Sequence, residues 1–279
     1  MSEKGDIINL TLNRDSNTFV RVHPHGATVI AWQWKGKELL FVSKQAVFDN
    51  KKAIRGGIPV VFPNFGPWEL GPQHGFARTS KWKVEKEPVA DKDGNVTAVL
   101  SLEDDDITRA LWDYRFKLTY TLTLSEDSFG MKFQVENKDN KPFDFTCLLH
   151  TYFRTSDVVK TDVLGLGNLQ YIDKVKGGQT FQQVDDPIIV EENVDRIYLN
   201  TPNEILIKDK EDGTTVKLTK DNFPEIVLWN PWKEKAAAMG DFGDEEYPNM
   251  ICVEAGYVHK PYTLQPGSVF EASQTLTVV

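Results

Sequence analysis

Cysteine is scarce in this chain: 279 residues contain two, Cys147 and Cys252. Each lies inside an apolar run, and neither falls in a CxxC or zinc-type spacing. A disulfide framework or thiolate cluster is therefore excluded as the basis of the fold, and two buried thiols in a reducing compartment are expected. Positive charge is also in short supply. Lys and Arg number 32 against 41 Asp and Glu, a net charge of -9, which argues against a broad surface for phosphate backbones and so against nucleic acid as a partner. A small anion is still admissible, because a few arginines make a local positive pocket in an acidic protein. No apolar run approaches the roughly 20 residues of a membrane span, and the start MSEKGDIINLTLNRD has no apolar core for a secretory signal. The expectation is a soluble cytoplasmic protein without a membrane partner. GxSxG, P-loop, Rossmann-glycine and HExxH patterns are absent too, which removes the usual support for hydrolase, NTPase and dehydrogenase readings.

What the chain has is aromatic residues, 16 Phe, 8 Tyr and 7 Trp, and period-two alternation. Phe116, Leu118, Tyr120, Leu122 and Leu124 interleave with Lys117, Thr119, Thr121 and Thr123, the pattern of a half-buried strand. Phe129 to Val135 and Phe143 to Leu149 alternate likewise on either side of the turn NKDNKP. These three runs predict an antiparallel meander. ATVIAWQW, a turn at Lys35 to Lys37 and ELLFV predict a hairpin, and DKDGN separates two more strands near Val84 and Val96 to Leu100. Later strands are expected at Val216 to Leu218, Ile226 to Trp229, Met250 to Glu254 and Phe270 to Val278. One short helix is expected near Ile107 to Tyr114, with the acidic run Glu103 to Asp106 at its N-terminus acting as a solvated cap. Without repeats or a linker-like break, the chain reads as one domain, residues 1–279. Its class is all-β: a large two-sheet antiparallel sandwich with very short helices.

Strand alternation also sorts the candidate functional residues. It places Phe145, Cys147 and Leu149 on one face and Thr146, Leu148 and His150 on the other; in NMICVE it sets Ile251 and Val253 against Met250, Cys252 and Glu254. His150 and Glu254 thus both point away from the apolar stripe of their strands. A second group begins at Arg55, where Gly56 and Gly57 permit close approach of backbone amides to a ligand. It continues through IPVVFP, a short strand ended by Pro63, to Gln73, His74 and Arg78. Two arginines beside permissive glycines suit a phosphate, whose oxygens take paired guanidinium donors; pairing with the chain's own carboxylates is the competing reading. His23 and His25 in HPHGAT read as turn residues rather than metal ligands, and His259 falls in the loop expected after Glu254.

Taken together, RGGIPVVFP, QHGFAR, LLHTYFR, VDRIYLN, VLWNPW and ICVEAGYVH resemble the glucose-6-phosphate 1-epimerase (hexose-6-phosphate mutarotase) branch of the aldose 1-epimerase family, in order along nearly the whole chain. The resemblance implies a galactose-mutarotase-like β supersandwich and an isomerase for the anomers of a hexose 6-phosphate, with no metal and no cofactor. A phosphosugar is the implied small-molecule partner, and a monomer is expected. Residue by residue, it implies His150 as general acid and Glu254 as general base. Arg55, Gln73, His74, Arg78 and Asp195 are implied at substrate-binding positions, the two arginines on the phosphate and Asp195 on sugar hydroxyls or orienting the acid. Ala255 stands where many relatives have proline, which implies a less rigid loop. Free-sugar mutarotases usually show GRxxNR and HGG where this chain has RGGIP and HGFAR. A free-aldose mutarotase and a non-catalytic carbohydrate-binding protein are the alternatives.

Overall fold

A computed structural model describes residues 7–279; the first six residues of the start discussed above lie outside the described residues. Every pairing between named strands is antiparallel. Nine strands form one sheet and eight a second, while Ile8–Leu12, Asp15–His23, Thr28–Trp34 and Lys37–Glu38 make a smaller four-stranded sheet at the start of the chain. One large apolar cluster draws on all three sheets, with Trp32, Phe62, Phe116, Phe133 and Phe145 among its fully buried members.

In the nine-stranded sheet alternation becomes structure directly. Phe116–Leu124 alternates strictly between buried and half-buried residues and pairs with Ser128–Asn137 and Val96–Glu103. The DKDGN hairpin is present as Lys83–Ala90 and Val96–Glu103. The expected helix is Asp106–Leu111, capped by Asp105, whose carboxylate accepts the Thr108 N–H at 2.8 Å. The capping reading of the acidic run therefore holds. A second short helix, Trp232–Ala237, had no counterpart among the sequence-based expectations.

Three expectations need correction. Phe143–Leu149 does not complete a meander: it crosses to the eight-stranded sheet, between Met250–Leu264 and Val60–Val61, because the outer edge of Ser128–Asn137 is taken by Val269–Val278. His259 belongs to a strand rather than a loop. Met250–Leu264 runs on through it with a bulge, Tyr257 facing Cys147 and Tyr262 facing Phe145, and the Val258 and His259 N–H groups turn to the Glu225 carboxylate. Ala255 is likewise inside that strand, paired with Leu149 on one side and Ile226 on the other, so no loop follows Glu254. The Lys35–Lys37 hairpin forms, but only Lys37–Glu38 of its second arm pairs as a strand with Thr28–Trp34. His23 and His25 form the expected turn: the His25 N–H donates to His23 Nδ1 at 3.1 Å.

Candidate active site

The central strands of the eight-stranded sheet, Glu225–Asn230, the first half of Met250–Leu264 and Phe143–Leu149, are buried on both faces, and the second face carries the candidate residues. Register explains why. Asp195 lies opposite Trp229, Trp229 opposite Cys252 and Cys252 opposite Tyr152, so these four share one face in a row across neighbouring strands. In the next row Ile197 faces Val227, and Val227 faces Glu254. His150 stands at the break between Phe143–Leu149 and Tyr152–Arg154, its ring stacked on Tyr152 at 4.7 Å and edge-on to Trp229 at 6.0 Å. Alternation from sequence assigned these faces correctly: Ile251 and Val253 join the main core, and Met250 and Cys252 a separate small cluster.

The Arg55 segment fixes the histidine from behind. The His150 N–H donates to Pro59 O at 3.0 Å and the Tyr152 N–H to Gly57 O at 2.9 Å. This corrects the reading of the glycine pair as a ligand cradle. Gly57 has φ 67°, and a Cβ there would lie 1.9 Å from the Val29 carbonyl oxygen, so its bareness serves contact between backbones.

A cavity of about 290 Å³ opens on this face, lined among others by Arg55, Gln73, His74, His150, Asp195 and Glu254. Six of the seven expected residues therefore meet at one cavity. The seventh, Arg78, is not in that lining but is tied to it, donating from Nη2 to the Gln73 carbonyl at 2.7 Å, while its buried Nε has no partner among the described residues. Burial pushes its pKa down to about 10. Arg55 does pair with a carboxylate, donating to Asp241 at 3.2 Å, and also to the Tyr152 hydroxyl at 3.3 Å; Tyr152 and Asp241 hold its pKa above the usual value.

His150 Nδ1 and Glu254 Oε1 stand 3.5 Å apart, beyond hydrogen-bond contact, and the buried His150 Nδ1 and Glu254 Oε2 have no hydrogen-bond partner. Burial drives the imidazole well below its ordinary pKa and the carboxyl well above its own, with Asp195 adding to the second effect. Burial therefore favours the neutral forms. His74, at φ 67° a left-handed residue without glycine's freedom, is held there by its N–H to Gly66 O at 2.9 Å and by the Gly66 N–H to its Nδ1 at 3.1 Å. With Nδ1 accepting and burial pushing the pKa to about 2, the neutral ring carries its proton on Nε2, which faces the Gln73 side-chain amide at 3.3 Å.

Residue-level reasoning missed several members of the site. Lys174 and Lys235 flank Asp195 at 3.5 and 3.9 Å, and Trp229 and Met239 complete the walls. Trp229 was within reach through the motif VLWNPW; the lysines carry no local signal: Lys174 is set beside Asp195 by its N–H to the Asp195 carbonyl at 2.8 Å, and Lys235 arrives on the short helix Trp232–Ala237. A second cavity of about 280 Å³, lined by Lys37, Arg154, Asp209 and Asp212 among others, contains none of the expected residues, and its carboxylates are engaged: Asp212 with Lys37, Asp209 with the Ser156 N–H.

Residues 9–277 match the aldose 1-epimerase family. The chain belongs to that family. A relative from Cenchrus ciliaris is 39% identical over 271 residues, covering 94% of this chain and 82% of its own, and one from Escherichia coli K12 is 31% identical over 256 residues, covering 91% and 84%; both bear the name "Putative glucose-6-phosphate 1-epimerase". The crystal structure of YeaD from Salmonella typhimurium, which bears the name "putative mutarotase", superposes with a TM-score of 0.87 at 28% identity, over 94% of this chain and 87% of that one. The antiparallel supersandwich expected from the family resemblance is thus the fold observed.

Proposed function

We propose that this aldose 1-epimerase family member interconverts the α and β anomers of a hexose 6-phosphate, with glucose 6-phosphate as the first substrate to test. The observation that carries the reading is the pair His150 and Glu254, 3.5 Å apart at a cavity that also holds Arg55, Lys174 and Lys235. Anomer exchange breaks the bond between C1 and the ring oxygen and remakes it on the other face of C1. One group removes the C1 hydroxyl proton while another protonates the ring oxygen; the open-chain aldehyde turns about C1–C2, and the same steps run backwards. Glu254 is assigned as the base and His150 as the acid.

This assignment requires one transferable proton on the pair. A neutral imidazole beside a carboxylic acid holds the same number of protons as an imidazolium beside a carboxylate, so the burial that favours the neutral forms does not change the count. A sugar in the cavity that presents its C1 hydroxyl to Glu254 and its ring oxygen to His150 selects the arrangement, and each positioned group contributes roughly 10² to 10⁴ in rate. His74 Nε2–H donates to the sugar, Asp195 and Gln73 take its hydroxyls, and Arg55 and Arg78 hold the phosphate through charge-assisted bonds of roughly 1.5 to 3 kcal/mol each. Support for the arginine roles is geometric: among the described residues Arg78 has no carboxylate partner and bonds to Gln73, and Arg55 borders the cavity.

We further assign this activity to one domain, a monomer and the cytoplasm; among the described residues no helix is long and apolar enough to cross a membrane. The test is the α to β exchange rate of glucose 6-phosphate by NMR, with free glucose as control. Selective acceleration of the phosphate ester is expected. Equal acceleration of both would favour a free-aldose mutarotase, and acceleration of neither a binding protein.

A further inference from the structure

We propose that His150, Cys252 and Glu254 together bind a zinc-class divalent cation, and that the bound ion shuts the sugar site. A ring nitrogen, a thiol sulfur and a carboxylate oxygen from these residues all lie within 4.8 Å of one another, and all three residues are buried. Two of them bring uncommitted atoms, since His150 Nδ1 and Glu254 Oε2 are buried without a hydrogen-bond partner. Such atoms cost about 1 to 3 kcal/mol each when left unsatisfied, and a cation supplies the missing partner.

Geometry and chemistry agree on the class of ion. Ligands bonded at roughly 2.0 to 2.3 Å around a tetrahedral centre stand about 3.5 Å from one another, and the His150 to Glu254 separation is already 3.5 Å. Closing the widest pair requires a shift of about 1 Å, within reach of side-chain rotation. A thiolate beside an imidazole selects zinc, cobalt or cadmium over magnesium or calcium. Three protein ligands leave a fourth position open, and two of the three, His150 and Glu254, line the sugar cavity. On binding, the thiol proton and any carboxyl proton pass to solvent.

The ion is an inhibitor rather than a cofactor. It occupies the lone pairs through which protons would travel, a step that rests on the proposed mutarotase reading; binding itself does not. Cobalt titrated into the full-length protein should raise a thiolate-to-metal charge-transfer band that zinc abolishes. In Cys252→Ser the band should vanish and zinc affinity fall by more than about 100-fold, beyond the range for losing an outer-shell partner. The same variant should keep its glucose 6-phosphate exchange rate and lose inhibition by zinc. No charge-transfer band, a band undiminished in Cys252→Ser, or zinc binding that leaves exchange unaffected would each overturn the proposal. Should Cys252→Ser fail to fold, Cys252→Ala is read by the same bands. Inactivity on every hexose phosphate would end the functional reading alone, because the cobalt spectrum needs no sugar.

Discussion

The two large sheets use the same alternating strands to different ends. In the nine-stranded sheet one face enters the core and the other stays wet, where its polar residues meet partners of their own: Thr97 and Thr123 hydroxyls at 3.1 Å, Lys132 and Glu271 at 2.8 Å. In the eight-stranded sheet Glu225–Asn230 is buried at every position, and Phe143–Leu149 at all but one. Where central strands are buried on both sides polar groups lose most of their solvent, so His150 and Glu254 on the second face are desolvated, perturbed and, among the described residues, without hydrogen bonds at Nδ1 and Oε2. Both sheets feed the main apolar core, and the second alone also carries the candidate proton chemistry.

Separating these two roles by mutation is the sharpest way to break the comparison. The largest effect is expected at His150. Replacing it with Asn should lower the glucose 6-phosphate exchange rate by about 10² to 10⁴, while the thermal midpoint changes little, because His150 Nδ1 has no hydrogen bond to lose. Near-normal exchange in His150→Asn would remove it as the acid, and a collapsed midpoint would mean that the second sheet depends on it structurally. The converse substitution lies in the first sheet. Leu122 is fully buried, and Leu122→Ala should destabilise the fold by about 2 to 5 kcal/mol in urea unfolding while leaving exchange per folded molecule unchanged. A drop in that specific rate would show that the sheets are not separable.

The same contrast explains what could be read from the sequence. Alternation gives faces, a local property, so the inward set of Phe116–Leu124 and the outward placement of His150 and Glu254 were legible residue by residue. It does not name partners. Phe143–Leu149 left the expected meander because pairing is decided at long range, where Asn137 Nδ2 ties Lys141 O to Leu264 O at 3.0 and 2.8 Å and directs the chain across. Lys174 and the lateral row Asp195, Trp229, Cys252, Tyr152 were hidden for the same reason, each an ordinary residue until strand pairing sets it beside the others, and Lys235 was hidden because it rides on the unforeseen helix Trp232–Ala237. The glycine pair at 56 and 57 misled because permissive backbone serves tight packing as well as ligand binding, and only coordinates separate the two.

Lys220 supplies the finest test, since it is a polar residue at an inward position of the regular sheet, following Val216 and Leu218 in the alternation of Thr215–Asp221. Unlike His150 it is satisfied: its Nζ donates to Phe223 O at 2.7 Å and Thr201 O at 3.2 Å. Burial lowers its pKa to about 8. Between there and the ordinary lysine value of about 10.4 the unfolded chain holds a proton that the folded chain has released, so stability rises with pH across that window. Below the window both states are charged and the cost of burying the ammonium is constant. Lys220→Met should remove this contribution, and the difference in unfolding free energy between wild type and variant should shift by on the order of 1 kcal/mol between about pH 7.5 and 9.5. An unchanged difference would mean that the two carbonyls stabilise the ammonium as well as water does, and that a satisfied buried charge in the first sheet is not perturbed in the way the unsatisfied pair in the second is.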